Sequence, residues 1–313
     1  MKDKGSFCMN IDIFANNLIK KMKIEKKSTN TIKSYNRTYK SFMEFCKQHY
    51  KQLSFNNIKE DDIYAFISYK SETMNKQGDI STSTSNSLVS HLKKLFKHIE
   101  RNSDELFDFD KIFEDIKIHQ PERKPKGLDE EQYVKLINYL ESMKLIETYT
   151  NYRNIVLAKL MLFGGLRASE AISISLDNID IADEALYKIN FKGKGNKKRL
   201  SYINKDYLED ELETLQNTFN IKTSLPIALT QNNKVMDRTQ LSKMMNSIYK
   251  KANIKATGLH ILRHTFAKKL LDKGISIVVV QSLLGHNSIQ TTSIYTNPTE
   301  NIIKNELLKD KYE

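Results

Sequence analysis

Five side chains suited to phosphate chemistry fall in one late stretch of the chain. They are His260, Arg263 and His264 in His260-Ile261-Leu262-Arg263-His264-Thr265-Phe266-Ala267, His286 in Leu283-Leu284-Gly285-His286, and then Tyr295. A second arginine stands upstream in Gly164-Gly165-Leu166-Arg167-Ala168-Ser169-Glu170, and a basic turn, Gly193-Lys194-Gly195-Asn196-Lys197, lies between the two. A phenol is a poor nucleophile at its free pKa of ~10, so neighbouring cations or a base must favour phenolate. A phosphodiester under attack develops charge on its non-bridging oxygens, which two arginines and a histidine can neutralise without a metal. The leaving 5′ oxygen needs a proton, and Lys194 is placed to supply it. No acidic cluster with metal-site spacing and no HEXXH pattern accompanies these residues. A metal nuclease is therefore disfavoured, and neither a metal nor another cofactor is expected.

Taken singly, each residue also has a bland reading. Arg167 reads as a surface arginine paired with Glu170, and Lys194 as one solvated lysine beside Lys197, Lys198 and Arg199. His286 reads as a satisfied core histidine, and Tyr295 is one of 15 tyrosines. The pattern as a whole favours chemistry. A Gly-Gly turn can hold Arg167 at the mouth of a buried helix, where a planar fork binds phosphate bidentately. His260 and Arg263, three apart, project to the same side of a helix. Gly285 can end one helix and aim His286 inward.

The elements that must position these groups follow from periodicity. Residues 11–24 predict a helix with Ile11, Phe14, Leu18 and Met22 on one face. Ser28 or Thr29 can cap a second, where Ile32, Tyr35, Tyr39, Phe42 and Cys46 recur at three- and four-residue steps. A third begins near Glu60 with Ile63, Phe66 and Ile67 inward. The polar tract Gly78 to Ser87 reads as a loop into a fourth, with Leu88, Leu92, Leu95, Phe96 and Ile99 on its apolar side. Four helices with short connections make an all-α domain over residues 10–118.

Two prolines and a run of charges mark residues 119–127 as a linker. A second domain, 128–313, opens with a helix capped by Asp129 and continues with an apolar helix from Ile155 to Phe163. Between Ile179 and Ile203 the pattern alternates with period two, which predicts strands around the Gly193–Asn196 turn and a small β-sheet. Helical periodicity then dominates to the end. The expected class is mainly α in two domains, the second mixed α+β.

Composition sets the outer bounds. The 313 residues are 39% hydrophobic and 28% charged, enough for two cores. No run approaches the ~18 apolar residues of a membrane span, and Met1 to Asn10 form no apolar leader. Cys8 and Cys46 make no disulfide or metal framework, so a cytoplasmic location is expected. The net charge of +12 favours an anionic partner, nucleic acid above all. Most of that charge is lysine beside abundant Asn and Ile, a bias that AT-rich coding also produces.

The order Arg167, Lys194, His260-x-x-Arg263, His286, Tyr295 resembles the tyrosine recombinase (phage integrase) family, Xer-like in size and layout. The resemblance spans nearly the whole chain, and none of the six positions departs from the family pattern. It implies a SAM-like core-binding domain, a linker and a catalytic domain with a C-terminal tail helix. It also implies a site-specific recombinase acting on double-stranded DNA through a 3′-phosphotyrosyl intermediate. The role would be chromosome-dimer resolution or integration and excision of a mobile element. Arg167, Arg263 and His286 would grip the phosphate, His260 would act as base or orienting group, and Lys194 as general acid.

Candidate DNA-facing residues are Lys33, Arg37 and Lys40 on the second helix and Ser90, Lys94 and Lys97 on the fourth. A plain solvated face is nearly as good a reading of each. Arg238, Gln240 and Lys243 begin a helix placed like the family's major-groove helix. The tail, with Ile302, Ile303, Leu307 and Leu308, is too short to be a stable helix alone. The resemblance implies that it docks on a neighbouring protomer in a homotetramer on two DNA sites. Two alternatives share the scaffold: a type IB topoisomerase-like enzyme and a catalytically silent DNA-binding regulator.

Overall fold

The computed structural model describes residues 6–50, 54–74, 80–114, 116, 118, 127–193 and 198–285. The chain divides into two compact units, residues 1–122 and 123–313. Among the described residues no helix is long and apolar enough to cross a membrane.

The first unit holds helices α1 (Ser6–Ile24), α2 (Thr29–His49), α3 (Glu60–Met74) and α4 (Thr82–Asn102), followed by a short α5 (Asp110–Glu114). Their apolar stripes close on one core, in which Ile11, Tyr39, Phe42, Ile63, Phe66, Leu92, Leu95 and Ile99 are fully buried. Aromatic edges meet faces there: Phe42 lies 5.1 Å from Phe66 at 81° and 6.0 Å from Phe96 at 74°, arrangements each worth about 1 kcal/mol beyond burial.

Two helix starts in this unit differ from expectation, and in the second unit the apolar helix expected from Ile155 begins at Tyr149. Helix α1 begins five residues before Ile11. Helix α4 begins at Thr82, so most of the expected loop up to Ser87 is helical. The physical reason lies in the side chains. The Ser81 hydroxyl caps the helix by accepting from Thr84 N at 3.2 Å, worth about 1 kcal/mol. Within the first turns Asn86 donates to Thr82 O at 3.0 Å and Ser87 to Ser83 O at 2.8 Å. These polar side chains fold onto their own helix instead of breaking it.

The second unit is built around α7 (Tyr149–Phe163), whose residues from Tyr152 to Leu162 are nearly all buried. Helix α6 (Glu130–Met143), capped by Asp129, and α9 (Glu209–Asn217) pack against it. Strands β1 (Ile179–Ile181), β2 (Leu186–Lys192) and β3 (Lys198–Asn204) form an antiparallel sheet in the order β1-β2-β3. The register sets Ile189 opposite Ser201 and Phe191 opposite Arg199. Ile189 and Phe191 are buried, as the alternation requires. Short α8 (Ala168–Ile172), α10 (Arg238–Lys251), α11 (His260–Asp272) and α12 (Ile277–Leu284) complete the unit. Helix α7 buries Lys159, which bonds Glu211 at 2.8 Å and Glu141 at 2.9 Å. An ion this deep persists only when paired.

Candidate active site

The end of α7 sets the first arginine. Gly165 adopts φ +61°, and a Cβ there would stand 2.5 Å from the Phe266 ring on α11. Glycine is thus required by both backbone and space. Ser201 of β3 donates to Gly164 O at 2.7 Å, which ties this turn to the sheet. The chain then enters α8 with Arg167 at its cap position. The Glu170 carboxylate reaches back to accept from Arg167 N at 2.7 Å and from Arg167 Nη1 at 2.8 Å.

Glu170 is only 3% exposed and serves two further guanidiniums. Arg199 Nη1 donates to its Oε1 at 2.8 Å, and Arg263 Nη1 lies 3.8 Å from its Oε2. The same three arginines reach consecutive carbonyls at the C-terminal end of α12. Arg199 bonds Leu283 O at 2.8 Å, Arg263 bonds Leu284 O, and Arg167 reaches Gly285 O at 3.4 Å. Arg263 also bonds Gly165 O. A buried carboxylate and the negative end of a helix dipole therefore flank three guanidiniums. Three positive charges face one negative side chain, an arrangement that matches an arriving anion.

His260 opens α11 one turn before Arg263. Arginine is only ever a donor, so the 3.3 Å contact of Arg238 Nη2 with His260 Nε2 requires a lone pair on that nitrogen. Burial of part of the ring, then the charges of Arg238, Arg263 and Arg167, push the His260 pKa below the usual imidazole value, although the residue keeps an exposed edge. His264 is shifted the same way, by burial, His260 and Arg263. Both imidazoles border a groove also lined by Gln132, Arg238, Lys255 and Thr257. Among the described residues no group of three or more His, Cys, Asp or Glu is arranged to hold a metal ion.

Of the six expected site residues, Arg167, His260 and Arg263 come together in this way, from segments about a hundred residues apart. Lys194, His286 and Tyr295 lie outside the described residues. Glu170 and Arg199 had no place in the expected set. The Arg-x-x-Glu spacing hints at the first, because a residue three beyond a helix cap can reach back to it. Nothing local points to Arg199, whose partners are 29 and 84 residues away.

The candidate DNA-facing residues are distributed over both units. Lys33, Arg37 and Lys40 are exposed on α2. On α4, Ser90 is exposed and Lys94 and Lys97 are half-buried, beside a groove that Lys21, Lys93 and Arg101 also line. Lys94 sits 5.3 Å from the centre of the Tyr35 ring, and Lys97 is 3.7 Å from Asp110. In the second unit Arg238 and Gln240 are exposed at the start of α10, with Lys243 one turn on. The Gln240 side chain accepts from Asp237 N at 2.8 Å, closing a capping box.

Comparison with known proteins agrees with this geometry. Residues 126–301, more than half of the chain, match the phage integrase family model, and residues 14–104 match the family's N-terminal SAM-like domain. The chain belongs to the phage integrase family, whose tyrosine recombinases are site-specific DNA recombinases. It is 28% identical over 309 residues to the tyrosine recombinase XerD of Pasteurella multocida strain Pm70, covering 96% of this chain and 97% of that one. It is likewise 28% identical to the XerD of Oceanobacillus iheyensis, with 91% and 92% covered. A crystal structure of the XerH site-specific recombinase bound to difH substrate before cleavage superposes with a TM-score of 0.70 at 25% identity, covering 96% of this chain and 84% of that one.

Proposed function

We propose that this chain cuts and rejoins double-stranded DNA at a defined site by forming a 3′-phosphotyrosyl bond at Tyr295. The cluster of Arg167, Arg199 and Arg263 around one buried carboxylate carries the reading, because it is built to receive a phosphodiester. The Tyr295 oxygen attacks the phosphorus, the bond to the 5′ oxygen breaks, and Lys194 protonates that oxygen. His260 takes or orients the phenolic proton, for which Arg238 must first release its Nε2. Arg167, Arg263 and His286 balance charge on the non-bridging oxygens. Attack by a 5′-hydroxyl of a partner duplex reverses the step, so the bond energy is kept without ATP.

Residues 10–118 serve as the core-binding domain, 119–127 as the linker and 128–313 as the catalytic domain, and each domain contacts the duplex. The basic faces of α2 and α4 contact phosphates, and the start of α10 lies in the major groove. Four chains assemble on two DNA sites, each docking its C-terminal tail on a neighbour. The reaction takes place in the cytoplasm.

A nicked suicide duplex tests the chemistry, because the broken strand diffuses away and the covalent adduct accumulates. The wild-type chain should yield a protein–DNA adduct that survives denaturation. Tyr295→Phe should yield none while binding the same duplex with affinity within a few-fold. An adduct formed by the Phe variant would show that another residue is the nucleophile.

A further inference from the structure

We propose that Arg199 is a positioning residue for DNA cleavage, acting through Glu170 and the end of α12 on the two arginines that hold the phosphate. The inference rests on the recombinase reading and adds a residue outside its six-residue signature. Arg199 comes from β3, so it joins three separate elements. Its aliphatic stem is closed in by Gly193, where a Cβ would come within 2.4 Å of Arg199 Cδ. Its guanidinium is closed in by Gly285, where a Cβ would come within 2.3 Å of Arg199 Cζ. Its Cζ lies 5.2 Å from the centre of the ring of Phe191, the cross-strand partner. The side chain is 14% exposed, so it contributes little to a solvated surface.

In this seat the guanidinium makes two bonds with different functions. One engages Glu170 Oε1, the same oxygen that Arg167 Nη1 engages, both at 2.8 Å. The other engages Leu283 O and fixes the last turn of α12, whose next two carbonyls receive Arg263 and Arg167. Without Arg199, Glu170 has one fewer cation to satisfy it and pulls harder on Arg167 and Arg263. The carbonyls that orient those two arginines lose their tie to the sheet. The phosphate grip is then mis-set, and the loss falls on stabilisation of charge in the transition state.

Two features separate this role from simple packing. Lysine is a point donor and cannot bridge Glu170 and Leu283 O as a planar fork does, so Arg199→Lys should be only partly active. A methylphosphonate at the scissile position removes the charge that the arginines must balance, so a charge-positioning defect should fade on that substrate. The probe is a nicked duplex recovered by selecting random-sequence DNA on the wild-type chain, prepared with either a phosphodiester or a methylphosphonate at the cleaved position. Single-turnover adduct formation at saturating protein gives the rate, and titration gives the affinity.

We expect Arg199→Ala to slow cleavage of the diester by about 10- to 100-fold, less than the ~10²–10³ for loss of a donor that touches the transition state directly. DNA affinity should change little, the deficit should shrink to a few-fold on the methylphosphonate, and Arg199→Lys should fall between. Should Arg199→Ala fail to fold by thermal melting, Arg199→Lys carries the same comparison. Equal deficits on both substrates, no deficit, or a deficit confined to affinity would overturn the role. A wild-type chain that forms no adduct on the diester fails the recombinase reading itself, separately from any difference among variants.

Discussion

Glu170 shows how much one residue can organise. Its carboxylate is 3% exposed, bonds the amide and side chain of Arg167, and bonds Arg199 from a different element. Removing one partner of such a buried set costs about 3–5 kcal/mol, because it leaves charge without compensation. The same crowd of cations governs His260. Burial and the charges of Arg238, Arg263 and Arg167 lower its pKa, so the neutral, base-competent imidazole persists to lower pH than an ordinary histidine allows. Since kcat/KM reports the ionisation of the free enzyme, its acid limb should lie below the usual imidazole value. Arg238→Gln removes one of the lowering charges and should move that limb to higher pH. His260→Gln should abolish it. A limb that ignores both substitutions means that His260 is not the titrating base.

At the scale of elements, legibility followed the range of the interactions. Apolar residues at three- and four-residue steps mark the core faces of α2 and α4 correctly, because the period is a property of each helix alone. Arg167, His260 and Arg263 were legible through their motifs. The start of α4 was not, because serine and asparagine read as loop formers until their side chains are seen to bond their own helix. Arg199 was hidden for a different reason: its neighbours Lys197 and Lys198 make it look like one more cation in a basic turn. The basic faces of α2 and α4 carry a prediction of their own. Replacing Lys33, Arg37, Lys40 and Lys94 together by alanine removes up to four cations from the phosphate backbone. The slope of log affinity against log salt should then fall by about 0.9 for each phosphate no longer neutralised. Stability without DNA should fall only modestly, because Lys33, Arg37 and Lys40 are exposed and Lys94 loses a single cation–π contact with Tyr35. An unchanged slope would assign these helix faces to solvent.

For the whole molecule, the question is how one cutting site becomes an exchange between two. On the proposed mechanism a single active site breaks one strand and the 5′-hydroxyl that completes an exchange comes from a partner duplex, which would require protomers to act in register. On the proposed reading the C-terminal sequence suits such coupling, since Ile302, Ile303, Leu307 and Leu308 recur at helical spacing in a segment too short to be a stable helix alone. An apolar face formed that way would gain stability only against another surface. If that surface belongs to a neighbour, a chain truncated after Thr296 should still bind one DNA site with nearly full affinity. It should lose cooperativity between sites and the slow-migrating complex holding two duplexes in a gel. Because Tyr295 is retained, the truncated chain should still form adducts, though uncoupled from synapsis. Unchanged cooperativity in the truncated chain would place the tail on its own domain and assign assembly to other surfaces.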